Sequence, residues 1–152
     1  LGYKGMITLA YRNPDIQTIQ AQTVYENDEF IFEYGLNPKL IHRPAVTDRG
    51  EPVYFYALFK TIKGGYGYSC MSTQDMEAFA KKYSKAYAST FSPWNTNFEE
   101  MAKKTVIKQA LKYAPISTEL QRALSTDETI KSKIEENMVD AQNEMDYVEQ
   151  AA

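Results

Sequence analysis

Residues 92–114 hold the side chains with the clearest chemistry in this chain, a row of lysines behind a Pro93-Trp94 turn. The turn ends in an Asn cap and opens a helix at Phe98. Stepping about 100° per residue, the apolar side chains at 98, 101, 102, 106, 107, 110, 111, 113 and 114 cover more than half the wheel. Such a helix is largely buried. Lys104, Lys108 and Lys112 fall on the narrow open side. Like charges at that spacing repel, by roughly a few tenths of a kcal/mol per pair. A cationic row beside an exposed Trp suits a polyanion; the plain alternative is a solvated lysine face. Lys103 falls inside the apolar arc instead. It either snorkels out along its stem or reaches into a groove between sheet and helix, and the groove is the reading adopted.

Other cations also sit beside aromatic rings: Tyr3-Lys4, Tyr11-Arg12, Lys39 with Arg43, and Lys60 and Lys63 beside Tyr66. Holding a strand without sequence preference takes positive charge along the phosphates and flat rings against the bases. The candidate DNA-binding residues are therefore Tyr3, Lys4, Arg12, Lys39, Arg43, Trp94, Lys103, Lys104, Lys108 and Lys112. No catalytic residue, metal or cofactor is expected. Gly64-Gly65-Tyr66-Gly67 lacks the Gly-Lys-Ser/Thr of a phosphate loop and reads as a hairpin turn. His42 and Cys70 are the single histidine and cysteine, too few for the usual zinc sets. A Cys70–His42 dyad is disfavoured, because Cys70 sits in a strand-like run with no helix N-terminus to lower its pKa. Asp48 and Glu51 belong to a turn that explains them without a metal.

The elements that must position these groups follow from periodicity. Residues 3–12 read as a short helix. Ile16 to Glu26 alternates as a strand, Ala21, Thr23 and Tyr25 against Gln20 and Gln22, with a bulge near Ile19. A turn at Glu26–Glu29 leads to Phe30, Phe32 and Tyr34 on one face, and the two strands read as a hairpin. Pro38–Pro44 is extended. Val53–Lys63 is a long strand with Tyr54 and Tyr56 opposite Phe55, Ala57 and Phe59, and Gly64-Gly65 turns it into Tyr66–Met71. Helices follow, from Thr73 to about Tyr87, from the Trp94 turn to Tyr113, from Ser117 to Leu124, and from Thr126 to about Gln150. The fold class is α+β: an antiparallel sheet of hairpins, then a helical layer with a long central helix.

The 152 residues fit one domain with a sizeable core. The net charge of −3 conceals an asymmetry: residues 1–125 hold 15 Lys+Arg against 12 Asp+Glu, and residues 126–152 hold 2 against 8. An acidic total therefore does not exclude a nucleic-acid partner. Residues 1–125 read as the core and 126–152 as an acidic amphipathic helix. Its seam, Ile134, Met138, Ala141, Met145 and Val148, would pack on its own domain or on a neighbouring subunit, or its charge would shield the basic groove. No apolar run approaches the ~18 residues of a membrane span.

Four stretches together resemble the RecT family of phage and prophage recombinases. They are Gly2-Tyr3-Lys4-Gly5-Met6-Ile7; Val24-Tyr25-Glu26-Asn27-Asp28-Glu29-Phe30 with Glu33-Tyr34-Gly35-Leu36; Lys39-Leu40-Ile41-His42-Arg43-Pro44 with Asp48-Arg49-Gly50-Glu51-Pro52; and the Ser92-Pro93-Trp94 turn with Met101-Ala102-Lys103-Lys104-Thr105-Val106-Ile107. The resemblance runs in order to about residue 122. It implies an ATP-independent single-stranded DNA binding and annealing protein of homologous recombination. It also implies a homo-oligomeric ring or filament on single strands and annealed duplex, a 5′–3′ exonuclease partner, and the cytoplasm of a bacterial host cell. The family carries further residues before its Gly-Tyr-Lys-Gly motif, so this reads as a partial chain. The alternative is a non-enzymatic interaction module with a solvated lysine face.

Overall fold

The structure, a computed structural model, describes residues 2–84, 87, 91–115 and 118–125. Helix α1 (Tyr3–Ala10) precedes strands β1 (Ile16–Tyr25), β2 (Glu29–Glu33), β3 (Lys39–Arg43), β4 (Pro52–Thr61) and β5 (Tyr66–Ser72). Helices α2 (Thr73–Tyr83), α3 (Pro93–Thr96), α4 (Phe98–Leu111) and α5 (Thr118–Ser125) follow. The expected α+β order, antiparallel strands and then helices, is what the chain adopts. The acidic segment 126–152 lies outside the described residues.

Strands β1, β4 and β5 form an antiparallel sheet in the order β1-β4-β5. The alternation of β4 sorts its side chains as expected. Phe55, Ala57 and Phe59 enter the core with Ile19 and Ala21 of β1. Burying each such phenylalanine contributes about 2–3 kcal/mol. Helix α4 covers this face and buries Met101, Ala102, Val106, Ile107, Ala110 and Leu111. Helix α1 adds Met6 and Ala10, and α2 adds Met76 and Ala80. Helix α4 stops at Leu111, and Tyr113, assigned to the apolar arc, is 83% exposed; Pro115 disfavours a helical conformation just before it. Helix α2 ends at Tyr83, short of the expected Tyr87, because Ser84 turns to extended backbone.

The hairpin expected between the first two strands does not form. β1 pairs with β4, and β2 pairs with β3 in a separate two-stranded sheet. Length explains the choice: β1 and β4 are each 10 residues, whereas β2 has 5, so the β1–β4 ladder satisfies more backbone groups. The turn also binds elsewhere, since Glu26 N–H donates to the Glu51 carbonyl and Asn27 N–H to the Arg49 carbonyl. The alternation of β2 is then used against the outer face of the sheet. Phe30 stacks on Tyr56 and lies against Tyr54, and Tyr34 stacks on Tyr68. The larger sheet thus has helices on one face and an aromatic ribbon on the other. The β1 bulge falls between Ile16 and Thr18, with a second irregularity before Tyr25. Gly64 closes the β4–β5 turn at φ 90, a conformation that suits only a residue without Cβ.

Candidate nucleic-acid interface

Strand β1 lies at a sheet edge, and beside it opens a cleft of about 400 Å³. Gln20, Gln22, Thr23 and Tyr25 of β1 line it, together with His42, Pro44, Arg49, Tyr56 and Lys103. Two lining residues are cations, Lys103 and Arg49, and none is an acid. Amides, hydroxyls and rings make up most of the rest.

Lys103 comes from α4 on the helix side. Its Nζ lies 5.3 Å from the centre of the Tyr3 ring, a cation–π distance. Lys103 is half-buried and is one of the residues that line the cleft.

Arg49 comes from the loop between β3 and β4. Its Nε–H donates to Asp28 Oδ1 at 3.0 Å and its Nη2–H to Oδ2 at 2.7 Å. Its guanidinium lies 4.4 Å over the Tyr25 ring. The Asp28 side chain is fully buried. It also accepts from the Tyr25 and Ala45 backbone N–H groups, and His42 Nε2 lies 2.9 Å from Oδ2. The Arg49 hydrogen bonds, with the backbone and His42 bonds, hold this carboxyl well below the usual carboxylate range despite its burial. An ionised Asp28 cannot donate, so His42 Nε2 carries a proton. In the neutral ring Nδ1 then accepts from the Tyr56 hydroxyl at 2.9 Å. Burial pushes Tyr56 up to about 12, which keeps that hydroxyl protonated.

Next to the lining residues Thr23 and Tyr25, Glu99 accepts from Thr23 Oγ1 at 3.0 Å and from the Tyr25 hydroxyl at 3.1 Å. Burial and that Glu99 bond raise the Tyr25 pKa. Asp28 and Glu99 are thus tied to donors and are absent from the lining, which includes Lys103 and Arg49.

Among the sequence-predicted candidates, the structure brings Tyr3 and Lys103 together. Lys4 is exposed on α1, and Arg12 is exposed just past its end. Lys39 and Arg43 lie at the ends of β3, where Arg43 pairs with Glu29 at 2.8 Å in the open; such exposed pairs contribute little. Lys104 is half-buried, and Lys112 is exposed just beyond α4. That places Lys112 roughly 13 Å along the helix axis from Lys103.

Two candidates are corrected. Trp94 is 2% exposed and packs against Phe79 and Phe98; it is a core residue and offers no face to a base. Lys108 is 7% exposed, so the three lysines do not form an open strip. The wheel placed Lys108 in a gap, but α4 is central, packed against all three strands of the sheet and against α1 and α3, and little of its circumference stays open.

Sequence reasoning missed Arg49, Asp28, Tyr25, Tyr56 and the two glutamines as one site. The alternating Gln20 and Gln22 was a signal, since polar side chains repeating along one strand face mark an unfilled surface. A Cys70–His42 dyad is not present, because Asp28 and Tyr56 engage both His42 nitrogens. Burial pushes the Cys70 thiol up to about 12. Alkylation of the native protein by iodoacetamide near neutral pH is therefore expected to be at least about tenfold slower than that of a free thiol. Equal rates before and after unfolding would refute this.

The α+β domain thus gathers two cations, aromatic rings and amides in one cleft beside an edge strand of its sheet. The chain matches the RecT family model over residues 1–142, and it belongs to that family. It is 44% identical over 128 residues to Protein RecT of Escherichia coli (strain K12), covering 84% of this chain and 46% of that protein. It is 26% identical over 136 residues to the uncharacterized protein YqaK of Bacillus subtilis (strain 168), covering 89% of this chain and 46% of that one. The chain spans about half the length of the curated relatives it matches. No described helix is long and apolar enough to cross a membrane.

Proposed function

We propose that this chain carries the single-strand binding and annealing surface of a RecT-type recombination protein. The observation that carries the reading is the cleft beside β1, which Lys103 and Arg49 line together with rings and amides in a RecT-family chain. The cations hold phosphates of one strand, and the rings and glutamine amides order the bases with one edge free. A complementary strand then pairs, so sequence is read by base pairing and not by the protein. No bond is broken, and neither nucleotide nor metal is required. Assembly into rings or filaments on single strands and annealed duplex, service beside a 5′–3′ exonuclease and work in the bacterial cytoplasm belong to the same proposal.

The test is annealing of two complementary oligonucleotides, one with a fluorophore and one with a quencher, without nucleotide. Quenching faster than the spontaneous rate is expected. Binding should weaken with salt, each neutralised phosphate adding about −0.7 to the slope of log K against log salt. Lys103→Ala is expected to flatten that slope by about 0.7 with the fold intact. Spontaneous-rate annealing and a salt-independent signal would remove the proposal in favour of an interaction module.

A further inference from the structure

We infer that Asp28 is a positioning residue for strand binding: backed by His42, it fixes Arg49 as a rigid phosphate fork on the cleft wall. The inference rests on the proposed single-strand function and assigns a part within it.

Both ends of Arg49 are held before any ligand arrives. At the backbone, Asn27 N–H donates to the Arg49 carbonyl at 2.9 Å, and Asn27 Nδ2 donates to the Asp48 carbonyl at 2.6 Å. Asp48 and Gly50 on either side have φ of 51 and 84. A Cβ at Gly50 would come within 2.9 Å of Glu26 Cβ, at a φ of 84 that side chains rarely adopt, so the loop depends on glycine there. At the side chain, Asp28 takes the Nε–H and one Nη2–H, and the Tyr25 ring lies along one face. The Nη1 end stays free of Asp28, and the side chain keeps 35% exposure beside the cleft. A guanidinium presents its donors in one plane, matched to two oxygens of a phosphate. An arginine already held in that plane loses little rotamer freedom when the phosphate binds.

Asp28 is itself fixed. Two backbone N–H groups and His42 occupy its remaining oxygen positions, and Tyr56 holds the far side of the His42 ring. The chain Tyr56–His42–Asp28–Arg49 joins the strand β4, the ribbon strand β3, the turn before β2 and the cleft wall. A device for attraction alone would leave Arg49 without a carboxylate beside it, because Asp28 cancels much of its charge at a distance. The arrangement weakens long-range attraction and secures direction.

That conflict gives opposite signs to test. The 152-residue chain is titrated into a fluorescently labelled oligothymidylate, and anisotropy reads the dissociation constant. If charge alone matters, Asp28→Asn removes a negative charge beside a polyanion and binding tightens. Positioning predicts roughly tenfold weaker binding, the loss of a charged hydrogen-bonding group's orientation. Arg49→Lys keeps the charge and loses the fork; positioning predicts a similar loss, and charge alone predicts none. In the Arg49→Lys background, Asp28→Asn should then cost little more. Where Asp28→Asn does not fold, Arg49→Lys and His42→Gln carry the decision, each checked for an unchanged circular dichroism spectrum. Folded variants that bind as well as wild type, or better, overturn the positioning role and leave the proposed function standing. Wild type that fails to bind the oligonucleotide removes the proposed function, and this inference with it.

Discussion

Trp94→Ala is expected to lower stability by about 3–5 kcal/mol while the folded fraction binds single strands as wild type does. The indole is 2% exposed and lies 5.7 Å from the Phe98 ring and 6.3 Å from the Phe79 ring. Phe98 in turn meets Phe55 of the sheet at 5.8 Å. The Trp94 ring therefore joins α2, α3 and α4 to β4, and truncation opens a cavity at their junction. The Trp94 backbone N–H donates to Ser92 Oγ at 3.2 Å, so Ser92 caps the short α3 turn; the alanine keeps that bond, and the loss is one of packing. A fall in melting temperature of roughly 6–20 °C should follow for a chain of this size. Urea unfolding and anisotropy on the same samples separate the two effects. A melting shift of only a degree or two with lost binding would return Trp94 to the DNA-facing surface.

The second large effect belongs to Asp28 and acid. Its carboxyl sits well below the ordinary value of 3.8 in the fold, first because of the Arg49 hydrogen bonds. As pH falls, the unfolded chain takes up this proton before the folded chain does, so protonation favours unfolding. The contribution of Asp28 is complete above about pH 5 and is lost progressively below it. Asp28→Ala strands the Tyr25 and Ala45 N–H groups, His42 and Arg49 together. Breaking such a buried pair is expected to cost about 3–5 kcal/mol near neutral pH. The gap between wild type and variant should narrow toward about pH 3. Urea midpoints for both proteins across that range measure it. A gap that stays constant with pH would show that the carboxylate is not ionised in the fold, or that its bonds do not persist in solution.

Much of the framework was legible from local pattern. The alternation of Phe55, Ala57 and Phe59 against Tyr54 and Tyr56 named the core face of β4, because side chains of a strand alternate whatever partner it finds. The breadth of the apolar arc on 98–111 named a buried helix for the same kind of reason. Four short motifs carried the family, and the charge asymmetry between residues 1–125 and 126–152 was plain from counting.

What stayed hidden depended on partners distant in sequence. Periodicity shows that β1 and β2 are strands but is silent on pairing, and β1 chose β4, whose matching length completes the longer ladder. A helical wheel separates apolar from polar, but it does not count the neighbours that close over a polar residue; Lys108 is buried because α4 is surrounded. Trp94 carried no mark of inside or outside until α2 and α4 met over it. Asp28, His42, Arg49 and Tyr56 are ordinary turn and strand residues taken singly. Their hydrogen-bonded chain exists only because the ribbon folds over the outer face of the sheet, and a site of that kind is a property of the tertiary contacts and not of any one segment.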